Sequence, residues 1–218
     1  MLRGYTLNDL RLREKGFGEI EQAVGLLART LTRHALVTDE GRAVLEVVQQ
    51  YTRAWRLLLE YDENRLADRP AQPLVPTADL SLDEAHTAIA TLCDALTDRG
   101  LNGGLFGQEC DDQLGAILGN VKQTFDDKPL YPTVQARASH LLYFVIKDHP
   151  FVDGNNRIGS LLFLEYLRRN GLLTHSDGTL RLADNAIVAL ALLVAESEPA
   201  QKQLMIRLIL NVLEEGSA

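Results

Sequence analysis

Residues 134–147 read VQARASHLLYFVIK, and from Leu141 to Ile146 the run is apolar on every side. A helix apolar all round cannot lie on a surface; the rest of a domain has to wrap it. Pro150 ends that helix, because proline lacks an amide donor and restricts the residue before it, His149. A second apolar segment follows over residues 158–169, with apolar side chains at 158, 161, 162, 164 and 167. It closes on Arg168, Arg169, Asn170 and Gly171, basic residues in a last turn followed by a glycine cap. Two core helices joined by a short loop predict an all-α helical bundle.

The remaining chain supplies the wrapping. Apolar spacing predicts helices over residues 17–33 and 40–60, the second capped by Thr38 or Asp39. Residues 65–80 carry Pro70, Pro73 and Pro76 with little periodicity and read as a linker. Ser81-Leu82-Asp83-Glu84 is a capping box that opens a helix running to Arg99. Residues 100–107 read as a loop and 111–121 as a helix. Thr124-Phe125 and Leu130-Tyr131 are strand-like around Asp126-Asp127-Lys128-Pro129, a turn composition, so a short β-hairpin is predicted just before the central helix. Residues 174–181 form a turn. Residues 184–196 and 199–214 complete about eight helices, with Ser197 capping the last one and Pro199 in its first turn. The organisation expected is an N-terminal helical extension over 1–64, a linker over 65–80 and a core domain over 81–218.

Composition narrows the function classes. The 218-residue chain has net charge −8 and pI ≈ 5.1, which argues against nucleic-acid binding, since that calls for a basic surface. Its two cysteines, Cys93 and Cys110, have neither metal-ligand spacing nor a disulfide framework and read as thiols in a reducing compartment. No signal peptide and no apolar run long enough for a membrane span is evident, so a cytoplasmic protein is expected; an exported effector would have the same sequence signature.

The chemistry is concentrated between the two core helices, in His149-Pro150-Phe151-Val152-Asp153-Gly154-Asn155-Asn156-Arg157. Histidines titrate near neutral pH and take protons from hydroxyls. Asp153 is a hard oxygen ligand suited to a Mg²⁺ that also holds phosphate oxygens. The amides of residues 154–157 open a helix N-terminus and form an anion-binding nest, with Asn155 and Asn156 as candidate caps. Arg157 is a fixed cation that forks onto phosphate. Base, metal carboxylate, nest and arginine together describe phosphoryl or nucleotidyl transfer. Phe151 reads as an anchor for the loop, and His140, on the central helix, as a packing residue.

This stretch resembles the Fic/Doc signature H-P-F-x-[D/E]-G-N-G-R-x-x-R. His149, Pro150, Phe151, Asp153, Gly154, Asn155 and Arg157 match it, and the wider segment 118–164 is similar to the RhuM-type branch. The resemblance implies a Fic-type bundle that transfers AMP from ATP, with Mg²⁺, to a hydroxyl of a target protein. It makes His149 the base, Asp153 the metal ligand, and Gly154, Asn155, Asn156, Arg157 and Ser160 the nucleotide-binding set. It also turns the hairpin into a flap that pairs with the target chain through Thr124, Phe125, Leu130 and Tyr131. A homodimer is implied; no nucleic acid and no membrane are expected.

Two positions depart from the signature. Asn156 stands where AMP-transferring members have glycine, and Ser160 where they have a second arginine. The Doc branch has lysine at the first and no arginine at the second. Asn156 fills space but adds a donor, and Ser160 removes a positive charge, so nucleotide binding is expected to be weaker or differently oriented. Doc-like phosphate transfer and a nucleotide- or protein-binding module without turnover are the alternatives. The family's inhibitory helix, [S/T]-x-x-x-E-[G/N], has no counterpart: Glu63 is preceded by Leu59 and Glu215 by Asn211 at the hydroxyl position. Inhibition in cis by such a glutamate is therefore not expected.

Overall fold

The computed structural model describes residues 56–215 apart from 62 and 103. The chain divides into two units, Met1–Arg65 and Leu66–Ala218. Of the first unit, a helical segment over 56–61 is described; the helices expected over 17–33 and over most of 40–60 lie outside the described residues. The second unit contains the elements α1 (Leu82–Asp98), α2 (Gln113–Lys122), β1 (Thr124–Phe125), β2 (Lys128–Pro129), α3 (Val134–Asp148), α4 (Asn155–Arg169), α5 (Asp184–Glu196), a 3₁₀ turn (Pro199–Gln201) and α6 (Lys202–Glu215). It is an all-α bundle with one small hairpin before its central helix.

The central helix is α3. It packs against α2, α4, α5 and α6, which is what its all-round apolar sequence requires. Val134, Ala138, Leu142 and Val145 are fully enclosed, as are Ile158, Leu162, Phe163 and Leu167 of α4. Each such large side chain contributes about 1.5–3 kcal/mol of burial. A Cβ on Gly159 would lie 3.0 Å from Ile146 Cγ1, so glycine there lets α4 approach α3 closely.

Local signals set several helix ends. At Ser81 the capping box is complete: the hydroxyl accepts from the Glu84 amide and Glu84 accepts from the Ser81 amide. Thr133 caps α3 by accepting from the Ala136 amide at 3.1 Å. Ser197 does not cap the last helix, as the sequence suggested. It ends α5 instead, its hydroxyl donating to the Val194 carbonyl at 2.7 Å, and Glu198 takes the N-cap of the 3₁₀ turn. The reason is spacing: Pro199 already occupies the first position of that turn, so the residue next to it is the cap.

The proline-containing stretch has no regular structure, yet it is held to the bundle. Leu66 and Leu80 are buried. Gln135 accepts from the Leu74 amide and donates to the Gln72 carbonyl, while Asn170 accepts from the Thr77 and Ala78 amides. These two buried amides replace the partners that an irregular backbone lacks.

The hairpin register differs from the expected one. The paired residues are Thr124 with Pro129 and Phe125 with Lys128. Leu130 and Tyr131 thus follow the second strand rather than form it. Asp126 (φ 51°) and Asp127 (φ 58°) both take the left-handed conformation, so a two-residue turn of the type that matches strand twist closes the hairpin. That draws Lys128 and Pro129 out of the predicted turn and into the ladder.

Candidate functional site

The catalytic-looking loop spans the gap between α3 and α4, and its shape is set by backbone. His149 ends α3 in the left-handed conformation (φ 50°, ψ 56°), a turn that aims the following Pro150 and Phe151 into the core, where both are buried. Phe151 is thus the expected anchor. A second loop, residues 106–110, runs alongside. Gly107 donates to the Asp153 carbonyl (3.1 Å), Val152 to the Gln108 carbonyl (2.9 Å) and Cys110 to the Pro150 carbonyl (2.8 Å), and isolated bridges join Phe106 to Asp153 and Glu109 to Phe151. Sequence reading had only a loop here, since pairing of so few residues leaves no periodicity to detect.

Asn155 does not cap α4. Gly154 holds the N-cap in the left-handed conformation (φ 90°), with no side-chain cap bond, and Asn155 is the first helical residue. Its side chain reaches back instead: Oδ1 accepts from the Phe151 amide (3.0 Å) and Nδ2 donates to the Phe151 carbonyl (2.7 Å). A carboxamide satisfies both backbone groups of one residue at once, and that use outcompetes capping. Asn155 Nδ2 also lies 3.4 Å from His149 Nδ1, near the outer limit of a hydrogen bond. One buried amide therefore ties the loop and lies beside the histidine. Asn156 does not cap the helix either, being its second residue.

The uncapped end leaves the first-turn amides pointing outward. The first intrahelical bond runs from Ile158 to the Gly154 carbonyl at 2.8 Å, so the amides of Asn155, Asn156 and Arg157 have no partner within the helix. Gly154 donates to Asp153 Oδ1 at 2.7 Å. Glycine is required at this cap, because a Cβ would sit 2.3 Å from the Phe106 ring. Arg157 lies with its guanidinium 4.7 Å from the centre of that same ring and 3.7 Å from Asp153.

His149, Val152, Asp153, Gly154, Asn155, Asn156 and Arg157 line a cleft of ≈ 360 Å³. Six of the seven residues predicted for base, metal and nucleotide roles fall in one place; Val152 joins them, and Ser160 and the hairpin residues do not. Ser160 donates its hydroxyl to the Asn156 carbonyl at 2.8 Å, a bond to its own helix that turns it away from the cleft. Beside the cleft, burial pushes the carboxyl of Asp148 up, opposed by the charges of Lys202 and His149.

The hairpin residues expected to serve as a flap stand apart from the cleft but are connected to α3. Phe125 is 81% exposed and Leu130 50%, while Tyr131 stacks on His140 with ring centres 3.8 Å apart. His140 is buried and its Nδ1 bonds the Ala136 carbonyl at 2.8 Å, which makes it the packing residue expected. Cys93 and Cys110 are free thiols. Among the described residues no helix is long and apolar enough to cross a membrane.

The family model described as Fic/DOC family matches residues 79–167, a span that runs from the end of the proline stretch to α4 and contains the whole cleft. No curated protein and no solved structure matches the chain.

Proposed function

Residues 79–167 belong to the Fic/DOC family, whose members commonly transfer AMP or other nucleotide groups to proteins, and on that premise we propose that this chain transfers AMP from ATP to a serine, threonine or tyrosine hydroxyl of a target protein. The observation that carries the proposal is the uncapped N-terminus of α4, its outward amides bordered by Arg157 and His149 in one cleft. Such an end holds phosphate through backbone donors and the helix dipole.

Asp153, 52% exposed at its side chain, would hold Mg²⁺, which when bound neutralises charge on the donor phosphates. A single carboxylate suits this ion, which usually keeps waters and phosphate oxygens as its other ligands. Among the described residues there is no cluster of three or more metal-binding side chains, so Asp153 is the ligand the chain itself offers beside the nest.

In the proposed reaction the target hydroxyl gives its proton to His149. Nδ1 faces Asn155, so Nε2 is left for the hydroxyl, and the neutral ring then carries its own hydrogen on Nδ1. Breaking the long 3.4 Å contact to Asn155 is the small adjustment that this form needs. The hydroxyl oxygen bonds the α-phosphorus, the bond from that phosphorus to the bridging oxygen breaks, and pyrophosphate leaves. Arg157 and the amides of residues 155–157 stabilise the phosphate oxygens as charge builds. The flap, with Phe125 and Leu130 exposed, positions the target chain.

A second reading has its own observation. Ser160 supplies no cation at the position where AMP-transferring members have a second arginine, and its hydroxyl is spent on the Asn156 carbonyl. This favours Doc-like transfer of the γ-phosphate. The two are separated by incubating the protein with Mg²⁺, lysate and ATP labelled on either the α- or the γ-phosphate. Label from the α-phosphate that falls by about 10²–10⁴-fold in His149→Ala supports AMP transfer. Label from the γ-phosphate alone moves the reaction to phosphate transfer. Intact ATP binding with no label of either kind overturns both in favour of a binding module.

A further inference from the structure

Phe106 lies far from the signature in sequence, yet its ring meets two signature residues. It faces the Arg157 guanidinium at 4.7 Å and packs so close to Gly154 that no Cβ fits between. The ring is 6% exposed, whereas the Arg157 side chain is 49% exposed. A buried surface therefore supports a solvent-facing cation. The ring is itself held in register: Phe106 bridges to Asp153, and Gly107 donates to the Asp153 carbonyl.

The other partner of Arg157 is Asp153, at 3.7 Å, too long for the close forked pair that would fix a guanidinium. A free arginine side chain loses rotamer freedom when it is immobilised. An aromatic face beneath it removes part of that loss before a ligand arrives, and a guanidinium lying on such a face keeps its in-plane N–H donors for a ligand.

We infer that Phe106 is a positioning residue of this site, holding the Arg157 guanidinium flat so that its donors face the phosphates of the donor nucleotide. The inference rests on the nucleotide reading above and assigns that site a residue outside the signature. Phe106 touches no reacting atom and acts through Arg157.

The test combines a ligand-free readout with a double-mutant cycle. In protein labelled with ¹⁵N-arginine, the Arg157 side-chain resonance carries a ring-current shift that disappears in Phe106→Leu. Affinities for MgATP and for Mg-pyrophosphate are then measured in wild type, Phe106→Leu, Arg157→Ala and the double variant, with melting temperatures recorded alongside. Phe106→Leu weakens binding by about threefold to tenfold, the equivalent of one partly exposed cation–π contact. In the Arg157→Ala background the same change has no further effect. A loss of equal size in both backgrounds means that Phe106 is merely structural, and overturns the inference, as does a resonance shift that persists in Phe106→Leu. Wild-type protein that binds neither ligand overturns the nucleotide reading itself, and the resonance shift, which needs no ligand, tells that failure from the other.

Discussion

Asn155 and Gly154 divide the work that a single capping residue performs elsewhere. An asparagine at a helix start is ordinarily read as a cap, and the sequence gives no hint that its amide is needed one turn earlier on Phe151. What settles the matter is three-dimensional: the 106–110 loop places the Phe106 ring against residue 154, so only glycine fits, and glycine takes the cap. Replacing Gly154 with alanine is therefore expected to act twice. It forces a side chain into the left-handed region at φ 90° and into a ring 2.3 Å from its Cβ, and should cost about 1–3 kcal/mol of stability. ATP affinity should fall further than that of a variant equally destabilised elsewhere, because the outward amides move with the cap. Denaturant unfolding and calorimetric titration on the same samples check this; unchanged ATP affinity at lowered stability would detach the cap from binding.

Helices and hairpin show how far periodicity carries. Residues 184–196 matched α5 end to end, since Ala183 and Ser197 bound a continuous apolar stripe. Elements fixed by one hydrogen-bond register were less legible. Two consecutive aspartates with positive φ are not the usual turn pair, so the second strand was read two residues late. The pair of Tyr131 with His140 lay beyond periodicity altogether. Burial pushes the His140 imidazole down to about 4 from 6.5, with the Lys202 charge acting in the same direction and the bond to Ala136 against it. The unfolded chain takes up this proton near pH 6.5 and the folded one only near pH 4, so the contribution of the neutral ring is present above pH 6.5 and is lost as pH falls toward 4. His140→Phe keeps a ring against Tyr131 and removes that proton. Denaturant unfolding at several pH values should show wild type losing stability relative to the variant between pH 6.5 and 4. Parallel curves would show that His140 does not hold its proton off.

Across the whole second unit, the site depends on two core helices staying in register, and one half-buried cation joins them to a third. Lys147 of α3 donates to the Ala195 and Ser197 carbonyls at 2.9 and 2.5 Å, where the C-terminal end of α5 has free acceptors and a negative dipole. Lys147→Met should lower stability by about 1–3 kcal/mol, with the unfolding transition still a single step. A loss confined to local fraying of α5, seen as fast hydrogen exchange there and none elsewhere, would limit the contact to that helix end. The bundle as a class was readable from the all-round apolar run at residues 141–146. Its closing by residues 106–110 was not, because the contacts are main chain to main chain.

That last property bears on how the protein can change. Main-chain pairing is indifferent to the side chains that flank it, so Gln108 and Cys110 are free to drift with the loop's shape intact, whereas Glu109 is tied by its carboxylate to the Leu114 amide and to His86. Phe106 is bound by shape to Gly154 and by charge to Arg157, and Gly107 sits in the left-handed region at φ 72° with Ile89 3.1 Å from where a Cβ would be. Random substitution through this loop should therefore be tolerated at Gln108 and Cys110 and resisted at Phe106, Gly107 and Glu109.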